Sequence, residues 1–296
     1  MPEGPECRIT ATQLNARYVG LTLVNIEWDN TSAHFFDNSV GYYRFAEQLP
    51  AKLMRVYTHA KKIIFEFLTC KDQKPMHLIS FMAMTGTWKS ARSDKYKYIR
   101  YVLNFGHLEP ADNMTVIEKS VYYDDKMAMG RMDVSLCLAD YQRILKNIGH
   151  DLLEISCNNG KLVNGDHAID LWVTTLQQPK LANTTICEFL LDQKYFSGIG
   201  NYLRAEILYY AQINPYRPPP SLTLDESVKL FNMALFIINK SFNEGGHTSS
   251  DFFDLDGAPG QFACVVYEQK SDPNGYPILR ETIDKRSIFY CPSVQK

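Results

Sequence analysis

Near residue 145 the apolar pattern changes from strand-like to helical, and that change limits the folds open to this chain. Upstream, Leu21–Trp28, Lys61–Leu68, Met76–Met82, Tyr98–Phe105 and Met114–Tyr123 are runs rich in β-branched, aromatic and aliphatic residues, the composition of strands. Downstream, Asp166–Leu176, Thr184–Lys194, Tyr202–Ala211 and Ser227–Phe242 carry helical spacing; Ile186, Phe189 and Leu190 stand at i, i+3 and i+4. A helix from Pro5 to about Val19 comes before the strands. Pro5 suits its first turn, Glu3 and Glu6 complement its dipole, and Gly20 suits its stop. Tyr141–Asn147 reads as a short helix and Ile148–Asp151 as a break. Residues 247–262, dense in Ser, Asp and Gly, read as a loop, and Tyr276–Glu281 with Arg286–Cys291 as a hairpin. The expectation is an α+β chain. An N-terminal β-sandwich flanked by helices covers 1–145, a linker 146–156, a mainly helical domain 157–246, and a loop with a hairpin 247–296.

Apolar residues make up 45% of the 296 residues, enough for buried cores and too much for a disordered chain. No apolar run approaches the roughly 18 residues that span a bilayer, and the first residues have neither the basic nor the apolar segment of a secretory signal. A soluble intracellular protein is expected. The seven cysteines (7, 70, 137, 157, 187, 264, 291) include no CxxC pair, so a zinc site built from two such pairs is excluded. The formal net charge of −2 does not advertise a nucleic-acid binder, yet binding needs only a local basic surface.

Two segments carry chemistry. If Met1 is removed, Pro2 becomes a free secondary amine. An α-amine of pKa near 8 is roughly a fifth neutral at cell pH, against about 0.1% for an ordinary lysine. Such an amine can add to a sugar aldehyde carbon to give a permanently charged iminium, which acidifies the neighbouring C–H; Glu3 beside it is a candidate acid/base. The second segment, Asp192 to Leu208, reads as helix, Gly198-Ile199-Gly200 turn, helix. Its glycines allow a tight turn and a close approach, and Asn201 opens a helix whose N–H groups can face an anion. A plain helix hairpin capped by Asn201 is the structural alternative. Leu203 stands where a dinucleotide fingerprint needs its third glycine. His107-Leu108-Glu109 is half a zinc-deaminase signature with no Pro-Cys-x-x-Cys after it.

Met1-Pro2-Glu3-Gly4-Pro5-Glu6, taken with Leu191-Asp192-Gln193 and Gly198-Ile199-Gly200-Asn201-Tyr202-Leu203-Arg204-Ala205-Glu206, resembles the Fpg/Nei family. This is the formamidopyrimidine-DNA glycosylase and endonuclease VIII group of base-excision repair enzymes, and the second block is closest to the endonuclease VIII-like members. The resemblance implies a helix–two-turns–helix motif in the helical domain. His59-Ala60-Lys61-Lys62 resembles the strand whose lysine contacts phosphate and assists elimination, which gives Lys61 that role with the register open by one. Met84-Thr85-Gly86-Thr87 resembles the turn whose methionine fills the space left by a flipped nucleotide. Arg286 to Cys291 resembles the end of the hairpin finger whose arginine grips phosphates.

The chain departs from the bacterial pattern twice. Only Cys291 of the four zinc-binding cysteines survives, with Val294 at the last position, so a zincless finger is implied and no metal or other cofactor. Asp125-Lys126-Met127-Ala128-Met129-Gly130 replaces the Arg-Arg-Phe that supplies an intercalating aromatic and an arginine facing the orphaned base. The resemblance implies a bifunctional glycosylase/AP lyase with Pro2, Glu3, Glu6, Lys61 and Arg286 in catalysis and Lys61, Met84, Asn201 and Arg286 on DNA. The expected substrates are oxidised pyrimidines and hydantoins in damaged double-stranded DNA, with single strands left open, and the enzyme is expected to be a monomer located with the genome. A catalytically silent DNA-binding protein of the same fold is the alternative, and a small-molecule isomerase using an N-terminal proline a more distant one.

Overall fold

The computed structural model describes residues 2–28, 39–109, 114–248 and 252–296. They group into two compact units. Residue 2, residues 6–146 and residues 252–260 belong to the first; residues 3–5, 147–248 and 261–296 belong to the second.

Most of helix α1 (Gly4–Tyr18) lies in the first unit. Pro5 sits in its first turn, where an N–H has no partner to lose, and Gly20 ends it with φ of +89°. Cys7, Ala11, Leu14 and Tyr18 recur at helical spacing and are buried. The stripe packs on a sheet of eight strands: β1 (Thr22–Trp28), β2 (Ala51–His59), β3 (Lys62–Thr69), β4 (Pro75–Phe81), β5 (Thr87–Lys89), β6 (Ile99–Leu108), β7 (Thr115–Asp124) and β8 (Arg131–Ser135). Every pairing is antiparallel, in the order β5-β7-β6-β1-β2-β3-β4-β8.

The expected sandwich is this one continuous sheet folded over. Trp88 on β5, at one end of the order, packs with its ring tilted 5.1 Å from that of Phe65 on β3 and donates Nε1–H to Ser80 Oγ on β4 at 3.2 Å. Strands far apart in hydrogen-bonding order therefore meet across a single core. Helices α2 (Ser39–Ala46) and α3 (Leu138–Leu145) flank it.

Strands β2, β5 and β8 and helix α2 go beyond the sequence expectation. In β2 a register shift between Leu53 and Arg55 breaks the period of two that would have marked it. The expected strand from Lys61 begins instead at Lys62. Ala60 and Lys61 form the turn between β2 and β3, with Ala60 at φ +55° and His59 opposite Lys62.

In the second unit, residues 150–156, expected in a linker, form regular structure with one buried side. Strand β9 (His150–Asp151) pairs with β10 (Phe196–Ser197), and α4 (Leu152–Cys157) buries Leu152, Leu153 and Ile155. Asp151 caps α4 by accepting the Leu153 N–H at 2.9 Å. Helices α5 (Ala168–Leu176), α6 (Ile186–Leu191), α7 (Asn201–Ala211) and α8 (Leu224–Asn243) follow; α6 and α8 start in capping boxes, Thr185/Glu188 and Thr223/Glu226. Trp172 anchors the core against Phe189, Phe196 and Phe231.

The hairpin comprises β11 (Leu279–Ile283) and β12 (Arg286–Tyr290). Asp284 and Lys285 both take positive φ in its two-residue turn. It is fixed by packing: Phe289 and Cys291 are buried with Tyr209 and Val266, and Val294 closes the cluster. Gln295 clamps it, accepting the Cys291 N–H at 2.8 Å and donating to the Ile213 carbonyl at 3.0 Å. Among the described residues no helix is long and apolar enough to cross a membrane.

Trp88→Ala should remove the contact that closes the folded-over sheet, lowering unfolding free energy by about 3–5 kcal/mol in a denaturant melt. A loss below about 1 kcal/mol would show that the sheet closes without it.

Candidate active site

Glu3 is buried and its carboxylate lies at the N-terminus of α7. Oε2 accepts the Gly200 N–H at 2.5 Å and Oε1 the Tyr202 N–H at 3.0 Å. The anion expected in front of this helix is thus a side chain of the same molecule. Gly200 caps the helix, and a Cβ there would stand 2.3 Å from Glu3 Cδ; glycine is required by the closeness of the carboxylate. Gly198 takes φ of +106°, and its carbonyl accepts the Gly4 N–H at 2.9 Å. Gln193 closes the loop from within. Its Oε1 accepts the Gly198 N–H at 3.0 Å, and its Nε2 donates to the carbonyls of Leu191 and Ile199 at 2.8 and 3.0 Å. Pro2, also buried, immediately precedes Glu3 in the chain, and buried Glu6 is on the first turn of α1.

Asn201 is not the cap. As the first residue of α7 it is half-buried, and its Oδ1 accepts from Arg204 Nη2 at 3.1 Å. The same nitrogen donates to the Ser287 carbonyl at 2.9 Å, next to the exposed Arg286. Glu3, Asn201 and Arg286 are therefore linked within one unit. Arg286 and Arg204 also line a cleft of about 520 Å³ with Lys180 and Lys194. Glu206, two residues beyond Arg204, is fully buried and accepts the N–H groups of Val265, Val266 and Tyr267 at 3.0, 2.9 and 2.9 Å. Burial raises its pKa even against those donors.

In the first unit, the Lys61 carbonyl accepts from Cys7 Sγ at 3.5 Å, which ties the β2–β3 turn to α1. Lys62 is committed elsewhere. Its ammonium is 3.4 Å from Asp133, and burial lowers its pKa while Asp133 opposes the shift. Met84 is 38% exposed on the turn after β4, and Met127 and Met129 are each 52% exposed on the turn before β8. Asp125 joins the two turns, accepting from Thr85 Oγ1 at 2.6 Å and from the Gly130 N–H at 2.7 Å, and Thr85 Oγ1 accepts the Met127 N–H at 3.1 Å.

Sequence reasoning named Gln193, Arg204, Glu206 and Asp125 only as parts of motifs and gave none of them a role of its own. A signal existed for two of them: Arg204 and Glu206 are charges inside an otherwise buried helix, Arg204 at i+3 from Asn201.

A family model for the formamidopyrimidine-DNA glycosylase N-terminal domain matches residues 1–132, and one for the H2TH domain of the same enzymes matches residues 166–253. The formamidopyrimidine-DNA glycosylase of Klebsiella pneumoniae is 30% identical over 180 residues, 50% of this chain and 67% of that protein. The chain belongs to this family. The Prochlorococcus marinus (strain NATL1A) enzyme is 40% identical over 123 residues, 40% of this chain, and the match spans only 43% of that relative. The fold is that of Lactococcus lactis Fpg. Its complex with oxidised-pyrimidine DNA aligns over 100% of both chains (TM-score 0.79, 21% identity), and its complex with abasic-site DNA over 99% of both (TM-score 0.78, 20% identity).

Gly200→Ala should force Glu3 away from at least one of its two amide donors, costing about 1–3 kcal/mol of stability. A crystal structure of the variant keeping both hydrogen bonds, with an unchanged thermal melt, would show that the close approach does not require glycine.

Proposed function

We propose that this chain is a bifunctional DNA glycosylase/AP lyase acting on oxidised bases in damaged DNA. The observation that carries the reading is Glu3: the residue after a prospective N-terminal secondary amine is a carboxylate clamped by two backbone amides in a family of DNA glycosylases. Lactococcus lactis Fpg, whose fold the chain shares, has been solved on DNA holding an oxidised pyrimidine and on abasic DNA.

The mechanism starts once Met1 is removed. The Glu3 carboxylate takes a proton from the Pro2 ammonium, which leaves a neutral amine, and passes that proton to the sugar ring oxygen. The Pro2 nitrogen attacks C1′ as the C1′–O4′ bond breaks, and the ring oxygen leaves as a hydroxyl. The nitrogen then gives its remaining proton, through Glu3, to the departing base. The base takes the electron pair of the N-glycosidic bond and leaves C1′ doubly bonded to nitrogen. The open-chain iminium acidifies the C2′ proton. Loss of that proton expels the 3′ phosphate, and a second elimination expels the 5′ phosphate, leaving a gap flanked by phosphates. Glu6 orders this site, and Lys61, Asn201 and Arg286 bind backbone phosphate, so affinity falls as salt rises. Met84 fills the space of the flipped nucleotide. The enzyme works as a monomer on double-stranded DNA in the compartment that holds the genome.

The side chains of Met127, Ala128 and Met129 offer no hydrogen-bond donor to a facing base, which favours oxidised pyrimidines and hydantoins over 8-oxoguanine opposite cytosine. Excision of thymine glycol should vary by less than about threefold among the four opposite bases, because one base-reading hydrogen-bond pair alone gives roughly tenfold. Strong preference for one opposite base, or faster excision of 8-oxoguanine than of thymine glycol, would overturn this substrate assignment.

Borohydride trapping on thymine glycol, 8-oxoguanine and abasic duplexes tests the chemistry. A covalent adduct mapping to Pro2, absent from Pro2→Thr, is expected. No adduct on any duplex, from protein shown to lack Met1, would overturn the reading.

A further inference from the structure

Arg204 lies inside α7, 1% exposed, with Leu203, Ile207 and Leu208 buried around it in the sequence. A guanidinium taken out of water is costly unless its donors find acceptors. Here Nη2 donates to Asn201 Oδ1 and to the Ser287 carbonyl, and Nη1 to the Cys187 carbonyl at 3.4 Å; Nε has no hydrogen-bond partner among the described residues. One side chain thus bridges α6, α7 and β12. Burial lowers its pKa, and the nearby Glu3 charge opposes the shift.

This bridge settles which way the Asn201 amide points. An asparagine side chain ends in an acceptor on one side and two donors on the other, and either could face outward. A guanidinium carries donors only, so the atom it holds must be Oδ1, and Nδ2 with its two hydrogens is turned to the other side. Two N–H donors are what a phosphodiester oxygen accepts from, whereas an outward carbonyl would repel it. The second bond of Nη2 fixes the backbone carbonyl one residue after Arg286, at the start of β12.

We propose that Arg204 is a positioning residue for DNA binding: it sets the donor polarity of Asn201 and anchors the strand that carries Arg286 before DNA arrives. The inference rests on the DNA-binding roles assigned above to Asn201 and Arg286.

The test is a double-mutant cycle on the full chain, reading the dissociation constant for a duplex with a tetrahydrofuran abasic analogue. Asn201→Ala should weaken binding about tenfold, the effect of losing one charge-assisted hydrogen bond. Arg204→Met should weaken it at least as much. The double variant should be no more than about twofold weaker than Arg204→Met, because Asn201 has already lost its orientation. General damage from losing a buried arginine would instead leave the Asn201→Ala effect intact, and additive losses would overturn the proposal. Arg204→Lys covers a failure of the methionine variant to fold: its single nitrogen replaces a fork, so binding should still weaken, and wild-type affinity would overturn the proposal. If the unmodified protein does not bind the duplex, the functional reading itself falls. If it binds and Asn201→Ala weakens it but the losses add, only the role of Arg204 falls.

Discussion

The hydrogen bonds between the Glu3 carboxylate and the first amides of α7 determine more of this structure than any other contact. They hold a residue from the very start of the chain against the loop of 192–200, which is why Gly200 has no room for a side chain and why Gly4 meets the Gly198 carbonyl. The charge is well placed physically. The amides of a helix's first turn have no partners within the helix, and the dipole favours an anion there. The contact orders Glu3, three residues into the chain, where chain ends otherwise fray.

From that contact the organisation of the second unit follows outward along α7. Asn201 and Arg204 lead to the carbonyl of Ser287, and Glu206 gathers the amides of 265–267. The two buried charges of the helix therefore grip segments that precede and form the hairpin. Each is satisfied mainly by backbone groups, whose positions are fixed by the chain, so the hairpin's location is written into one helix. The first unit has a smaller counterpart in Asp125, which joins the Met84 turn to the Met127–Gly130 turn.

Local periodicity carried the sequence reading a long way. α1, five of the strands, and helices α5 to α8 all stand close to where spacing, Pro5 and Gly20 place them. What it missed depends on long-range contact or on a broken period. The bulge in β2 hides its alternation, β5 has only three residues, and residues 150–156 read as a linker because His150 and Asp151 pair with Phe196 and Ser197 far away in sequence. For the site, Glu3, Gly198 and Gly200 could be singled out as residues, but not that they meet. Nor could any local rule tell that Lys62 is spent on Asp133 while Lys61 occupies the turn.

The hairpin that carries Arg286 is held, among the described residues, by side-chain packing and by the Gln295 clamp. Metal ligation is a few strong bonds that persist until the ion is lost; Phe289, Cys291, Val266, Tyr209 and the Gln295 clamp are many weak contacts that loosen together. Its grip on Arg286 is accordingly graded by temperature and denaturant. A finger of this kind is tuned by the size and shape of its apolar residues, so its stiffness can drift in small steps that a four-ligand site does not allow.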